Sequence, residues 1–292
     1  MGGEVVDYDE LGVVGKLMAF SRADMLAAVE RSPEAAGAHD RDGWVGLFTA
    51  KGRIEDPVGS RPHEGTAAIA RFYDTFIGPR DITFRSDIDI VTGATVIRDG
   101  ELDVTMASEL TLKVPVYIRY DLHDEAGELK IAALSAFWEL PAMVGQFLRG
   151  GIRAVPAGMQ LSQLLLTNQG LAGTLGFLRG FNGMGSGGKG LLTRFLDDAC
   201  GGDEVGMRRR LAGQVDISSG DDLQLSAADL LRHLSGARWR KLIGSGHAVA
   251  AATERAGQRS VILAEVGTEP TALKRIRVFS EAGDGQPRDM RR

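Results

Sequence analysis

Between Ile82 and Trp138 the apolar residues change from helical spacing to strict alternation. That change confines the chain to folds in which helices come first and an antiparallel sheet follows. ITFRSDIDIV, ATVIRD, ELDVTMASEL, LKVPVYIRYDL and LKIAALSAFWEL read as strands, with Gly93, Asp99-Gly100 and Glu125-Ala126-Gly127 as turns between them. Upstream, SRADMLAAVERS carries Ser21 as an N-cap and Asp24 three residues on, an acidic form of the capping box. PEAAGAHDR and DGWVGLFT read as two further helices, and GRIEDP as a strand ended by Pro57. TAAIARFYDTFI sets Ile69, Phe72, Tyr73 and Phe76 at helical spacing. The expectation is an α+β domain with helices on one face of a curved sheet.

The same order returns, compressed, after residue 190. Helices at LLTRFLDDAC and EVGMRRRLAG precede a strand at QVDIS, a helix at SAADLLRHLSG and four more strands. A repeat of this length points to tandem domains. The division is a lead-in over 1–20, a first domain over 21–140, an apolar and basic connector over 141–190, a second domain over 191–282 and a disordered tail over 283–292. The 292 residues suffice for two cores. A net charge of -5 argues against a dedicated nucleic-acid binder, which needs clustered Lys and Arg. One cysteine, Cys200, reads as an ordinary cytosolic thiol, and the acidic start MGGEVVDYDE does not read as a signal peptide. A cytoplasmic location is expected. No cofactor is expected, and no His/Asp/Glu set has metal spacing. GFNGMGSGGKG fails as a phosphate loop because Gly190 follows Lys189, and reads as a flexible linker.

The chemistry-bearing run is HDRDGWVGLFTAKGRIEDPVGSRPHEGTAAIARFYDTF. Its pieces are Asp40-x-Asp42-Gly43, Leu47-Phe48, Glu55-Asp56-Pro57-Val58-Gly59-Ser60, Pro62, Gly65, and Ile69 through Phe72-Tyr73. On these the first domain, over about residues 25–140, resembles the bacterial Δ5-3-ketosteroid isomerases. It is also similar to the wider group of cone-shaped folds that includes nuclear transport factor 2 and the SnoaL-like polyketide cyclases. The resemblance implies two tandem folds of that kind, the second sharing only the general pattern.

By resemblance Asp56 is the general base, moving a proton between carbons near a carbonyl. That is the role the resembled isomerases give their aspartate. Residue by residue, Asp-Pro-Val-Gly can equally be a plain turn. Trp44, Phe48, Phe72, Tyr73, Phe76 and Trp138 offer an aromatic lining for a steroid-like ligand. The family's tyrosine donor falls on Ser32. Its second donor, a protonated aspartate, falls on Arg119 counted forward from the base and on Asp121 counted back from Ala136-Phe137-Trp138; Tyr117 and Tyr120 lie near enough to donate instead. In the second domain, matching GQVDIS to GRIEDP sets Ile217 opposite Asp56.

The resulting expectation is an isomerase-like enzyme acting on a steroid or other hydrophobic ketone, with Asp56 and Asp121 catalytic and Tyr120 among the binding residues. A non-catalytic carrier for such a ligand and a polyketide cyclase-like enzyme are the alternatives. The expected partners are the small ligand, the other domain or a second copy, and an anionic membrane surface met peripherally through 141–190. In that segment Leu161, Leu164, Leu165, Leu175 and Leu178 fall near one helical face among basic residues.

Overall fold

The computed structural model describes residues 20–106, 110–149, 185–268 and 271–281, with isolated positions between 151 and 168. Helix α1 (Arg22–Gly37) begins as its sequence dictates: the Ser21 hydroxyl accepts from the Asp24 N–H, and the Asp24 carboxylate accepts from the Ser21 N–H at 2.8 Å. The sequence suggests two helices here, yet one helix runs through Pro33. A proline inside a helix forfeits one backbone bond. Burial of Met25, Val29, Ser32 and Ala36 on one side holds this helix together across the gap.

Next come α2 (Arg41–Gly46), β1 (Phe48–Glu55), the short β2 (His63–Glu64) and α3 (Thr66–Phe72), which ends in a π-turn over Tyr73–Ile77. Strands β3 (Asp81–Thr92), β4 (Thr95–Met106), β5 (Leu110–Glu125) and β6 (Glu128–Phe137) form a meander. The sheet order is β2-β1-β6-β5-β4-β3, all antiparallel except the β1–β6 pair.

Asp99-Gly100 is not a turn; both residues lie within β4. Gly100 is there for close approach, since a Cβ would stand 2.3 Å from the Arg85 carbonyl oxygen and 2.7 Å from the Phe84 ring. Residues 140–149, at the start of the segment read as a connector, form helix α4 (Leu140–Arg149). Of Leu161, Leu164, Leu165, Leu175 and Leu178, all but Leu164 lie outside the described residues. Among the described residues no helix is long and apolar enough to cross a membrane.

The second domain comprises α5 (Gly185–Cys200), α6 (Glu204–Arg208), β7 (Leu211–Ser219), β8 (Leu223–Gln224), α7 (Ala227–Leu234), β9 (Arg238–Ser245), β10 (Ala248–Arg255), β11 (Gln258–Thr268) and β12 (Thr271–Ser280). Its sheet order, β8-β7-β12-β11-β10-β9, repeats the first, again with one parallel pair, β7–β12. The chain is thus two tandem α+β domains of one topology. GSGGKG, read as flexible linker, opens α5 instead. The Lys189 ammonium there meets the Glu139 carboxylate at 2.5 Å, tying the helix start to the end of the first domain.

The outer faces of the two sheets pack against each other. Ile90, Ile97, Tyr117 and Phe137 interleave with Ile243, Ala250, Val261, Leu263 and Phe279 in a core of their own. Polar contacts fix the register of this interface. Lys241 binds the buried Asp99 carboxylate and the Val116 carbonyl, the latter at 3.0 Å. The Tyr117 hydroxyl donates to the Lys241 carbonyl at 2.6 Å. The Ser245 hydroxyl donates to the Val58 carbonyl at 2.8 Å, just past the Asp56-Pro57 corner.

Candidate active site

The first domain encloses a cavity of about 380 Å³ between its helices and the inner face of its sheet. Helix α1 contributes Ser32, Pro33 and Ala36, side chains too small to fill the cone. Phe72, Phe76 and Ile77 enter from α3 and its π-turn, Leu102, Val104 and Met106 from β4, and Leu112, Val114, Ile118 and Tyr120 from β5. Met143, Val144 and Phe147 of α4 complete the wall. The lining is apolar with few polar groups, the usual character of a small-molecule site.

Asp56 is one of those few. It follows β1 at a cis Asp56–Pro57 peptide, and Val58 N–H donates to the Ala136 carbonyl of β6 at 2.8 Å, which pins the corner to the sheet. The Trp138 indole N–H donates to the Asp56 Oδ1 at 2.5 Å. Burial pushes the Asp56 carboxyl up to about 6, against the indole bond, which favours the charged form. The carboxylate keeps some exposure only because it opens on the cavity. No cation partners it among the described residues, so its proton affinity is set by desolvation and one neutral donor.

Tyr120 is the second polar group, 2% exposed on the inner face of β5. Burial raises its phenol, while the Arg98 guanidinium and a hydrogen bond with Ser32 draw it back down. A neutral phenol near a cation is a competent donor to a developing oxyanion. Arg98 itself is held by Glu30 at 2.6 Å and Asp89 at 2.9 Å.

Of the residues singled out in the sequence, Asp56, Trp44, Phe72, Phe76, Tyr120 and Trp138 line this cavity. Asp121 does not. Successive strand residues face opposite ways, so Tyr120 points in and Asp121 points out to the domain interface. There it accepts from Thr95 at 3.0 Å and Arg119 at 2.8 Å. Arg119, the other candidate of that count, shares the outer face and reaches Asp221 of the second domain at 3.0 Å. Tyr117 is outward as well. Phe48 and Tyr73 stand behind the wall, packed on Trp44 with ring centroids 5.0 and 5.5 Å away. Sequence reasoning passed over Arg80, Pro33 and the α4 residues. Arg80 lies in a short loop with no motif around it, and α4 looks like connector by composition. The alternation of β4 and β5 could have supplied their inward residues.

His63 stacks edge-on against the outside of Phe72, and burial with nearby Arg71 and Arg61 pulls it down to about 4. Among the described residues no group of three or more His, Cys, Asp or Glu is placed to hold a metal ion.

Residues 29–131 match the family model of the SnoaL-like domain. Among solved structures the chain is similar to a Δ5-3-ketosteroid isomerase from Mycobacterium sp., 27% identical, covering 41% of this chain and 96% of that one at a TM-score of 0.38. It is similar to a Mycobacterium tuberculosis protein in complex with estradiol-17beta-hemisuccinate, 24% identical, covering 40% and 95% at a TM-score of 0.37. A third is an epoxide hydrolase of M. tuberculosis, 18% identical, covering 46% and 96% at a TM-score of 0.39.

Proposed function

We propose that the first domain binds a steroid-like or other hydrophobic ketone and isomerises it by intramolecular proton transfer through Asp56. The observation that carries this reading is a desolvated carboxylate opening on an apolar cavity that also holds the Tyr120 hydroxyl. Asp56 takes a proton from the carbon beside the carbonyl. The electron pair moves onto the carbonyl oxygen, giving a dienolate that accepts a hydrogen bond from Tyr120. The Asp56 carboxylic acid then returns the proton two carbons away, and the double bond ends conjugated with the carbonyl. Nothing is oxidised or reduced. Tyr120 stands in for the tyrosine missing at Ser32, and Ser32 bonds to it.

A carrier role is the second reading. It is favoured by Ser32, a short hydroxyl at the position where the resembled isomerases carry their tyrosine donor. One experiment separates the two. Incubation with 5-androstene-3,17-dione, followed through the absorbance of the conjugated enone, should show turnover. The rate should rise with pH through about 6 as Asp56 loses its proton. Asp56→Asn should abolish turnover, because an amide cannot accept the proton, and Tyr120→Phe should lower it about 10²–10³-fold. Tight binding of the steroid without turnover by the wild-type protein establishes the carrier.

A further inference from the structure

Arg80 is a buried cation with no counter-ion among the described residues. It sits between the π-turn and β3, is 8% exposed and lines the cavity. Its NH1 donates to the Thr75 carbonyl at 2.6 Å, and no carboxylate pairs with it among the described residues. Burial alone pulls it down to about 10. Arg98, the other strongly buried arginine of this domain, has its charge paired, with Glu30, Asp89 and the face of the Phe84 ring around it. Charged side chains are seldom buried unless paired, because desolvation goes uncompensated. The Thr75 bond is a favourable cap on a helix end, but it uses only one of the guanidinium's several donors.

Position adds to this. Asp81 pairs with Thr105 and Thr105 with Thr111, so Arg80 belongs to the end of the sheet where β5 begins. Asp56 lies at the level of Ala136, which pairs with Ile118. From Leu112 to Ile118 is roughly 20 Å of strand at about 3.3 Å per residue. The wall between is apolar: Leu112, Val114, Leu102, Val104 and Phe84. The cavity therefore has an acidic, hydroxyl-bearing end and a cationic end.

We propose that Arg80 recognises a carboxylate at the far end of the ligand, so that the substrate is an elongated apolar ketone acid whose ketone reaches Asp56 and Tyr120. The arrangement fixes orientation, because the ligand's carboxylate is attracted to Arg80 and repelled by ionised Asp56. This rests on the reading of the cavity as the site of a hydrophobic ketone and names its substrate class.

The test uses the full chain and two probes, 3-oxo-chol-4-en-24-oic acid and its methyl ester, with binding followed by calorimetry at neutral pH. The acid should bind at least about tenfold more tightly than the ester, the size of one charge-assisted bidentate contact. Arg80→Met should erase that preference while leaving ester affinity within about threefold. Arg80→Lys should keep part of the preference and serves if the methionine variant does not fold. Equal binding of acid and ester by the wild-type protein, or an equal loss for both in the variants, overturns the proposal and leaves Arg80 as a helix cap. Asp56→Asn should retain the preference. A failure of proton transfer would appear as absent turnover with the acid preference intact, and so is distinguishable from a failure of the Arg80 contact.

Discussion

The two domains share strand order, the single parallel pair and even the offset of that pair, yet one is hollow and the other is solid. In the first, the helix facing the sheet presents Ser32, Pro33 and Ala36 to the interior, leaving the cavity. In the second, α5 fills the cone with Leu191, Leu192, Phe195, Leu196 and Ala199, all nearly or fully buried against Ile217, Leu273 and Ile276. Strand register corrects the match between the halves. Ile54 pairs with Leu134 as Ile217 pairs with Ile276, so Ile217 corresponds to Ile54. Ser219 stands where Asp56 does. The domain with the filled core also has no carboxylate at that corner, as expected if a buried acid is worth its desolvation cost only where it has a ligand. Side-chain size on a single helix decides whether this fold is a container or a prop.

The largest test of that comparison is truncation of one ring in each domain. Phe195→Ala removes a fully buried ring from a filled core and should cost about 3–5 kcal/mol. Phe76→Ala enlarges a space that already exists, around a ring only partly buried, and should cost less than about 2 kcal/mol. Urea denaturation midpoints check both. Equal losses would mean that the first domain is not hollow in solution.

Asp56→Asn is the next sharpest test, because it separates the stability of the hollow domain from its chemistry. The folded-state carboxyl titrates at about 6, above its ordinary 3.8. The folded state therefore binds this proton more tightly than the unfolded chain does. The stability it contributes is fully present below 3.8 and is lost as pH rises through about 6. At neutral pH the ionised group costs up to about 3 kcal/mol. The asparagine variant should match the wild type near pH 3.5, exceed it increasingly up to pH 6 and hold a constant margin beyond. Thermal melts across that range give the answer, and no pH-dependent margin would mean that Asp56 is solvated.

The sequence made much of this legible. The change of period at Ile82 gave the α+β order, the repeat gave the second domain, and the Asp56-Pro57 corner with Phe72 and Phe76 pointed to the cavity. What it hid has physical causes. Asp99-Gly100 carries turn composition because the glycine admits the Phe84 ring and the aspartate meets Lys241 across the domains; neither partner is local. Asp121 follows the inward Tyr120 on β5 and so faces the other side of the sheet, which a count along the chain does not reveal. Arg80 has no local signature, since its meaning comes from the cavity and from the lack of a carboxylate partner among the described residues.

The smallest expected effect on stability tests whether the solid domain serves the hollow one. Gly246, in the β9–β10 turn, faces Gly59, three residues past Asp56. A Cβ on Gly246 would stand 2.5 Å from the Gly59 Cα and 3.0 Å from the Val58 carbonyl oxygen. Gly246 has φ of 57°, which L residues adopt at a cost of roughly 1–2 kcal/mol. Gly246→Ala should therefore destabilise the protein by at least that amount, since the clash is with backbone, and push Val58 and Gly59 aside. The neighbouring Ser245–Val58 bond should weaken with them. Because Val58 is bonded to β6 beside Asp56, the displacement should reach the carboxylate, and a small misplacement of a reacting group is expensive in rate. Turnover should fall about tenfold or more while denaturation shows only the modest loss. Gly257→Ala is the control: it has φ of 82°, in a turn of the same domain with open space around it. It should cost similar stability and leave turnover unchanged. If the two variants behave alike, the second domain is a passive neighbour; if only Gly246→Ala loses activity, it braces the Asp56 corner from outside.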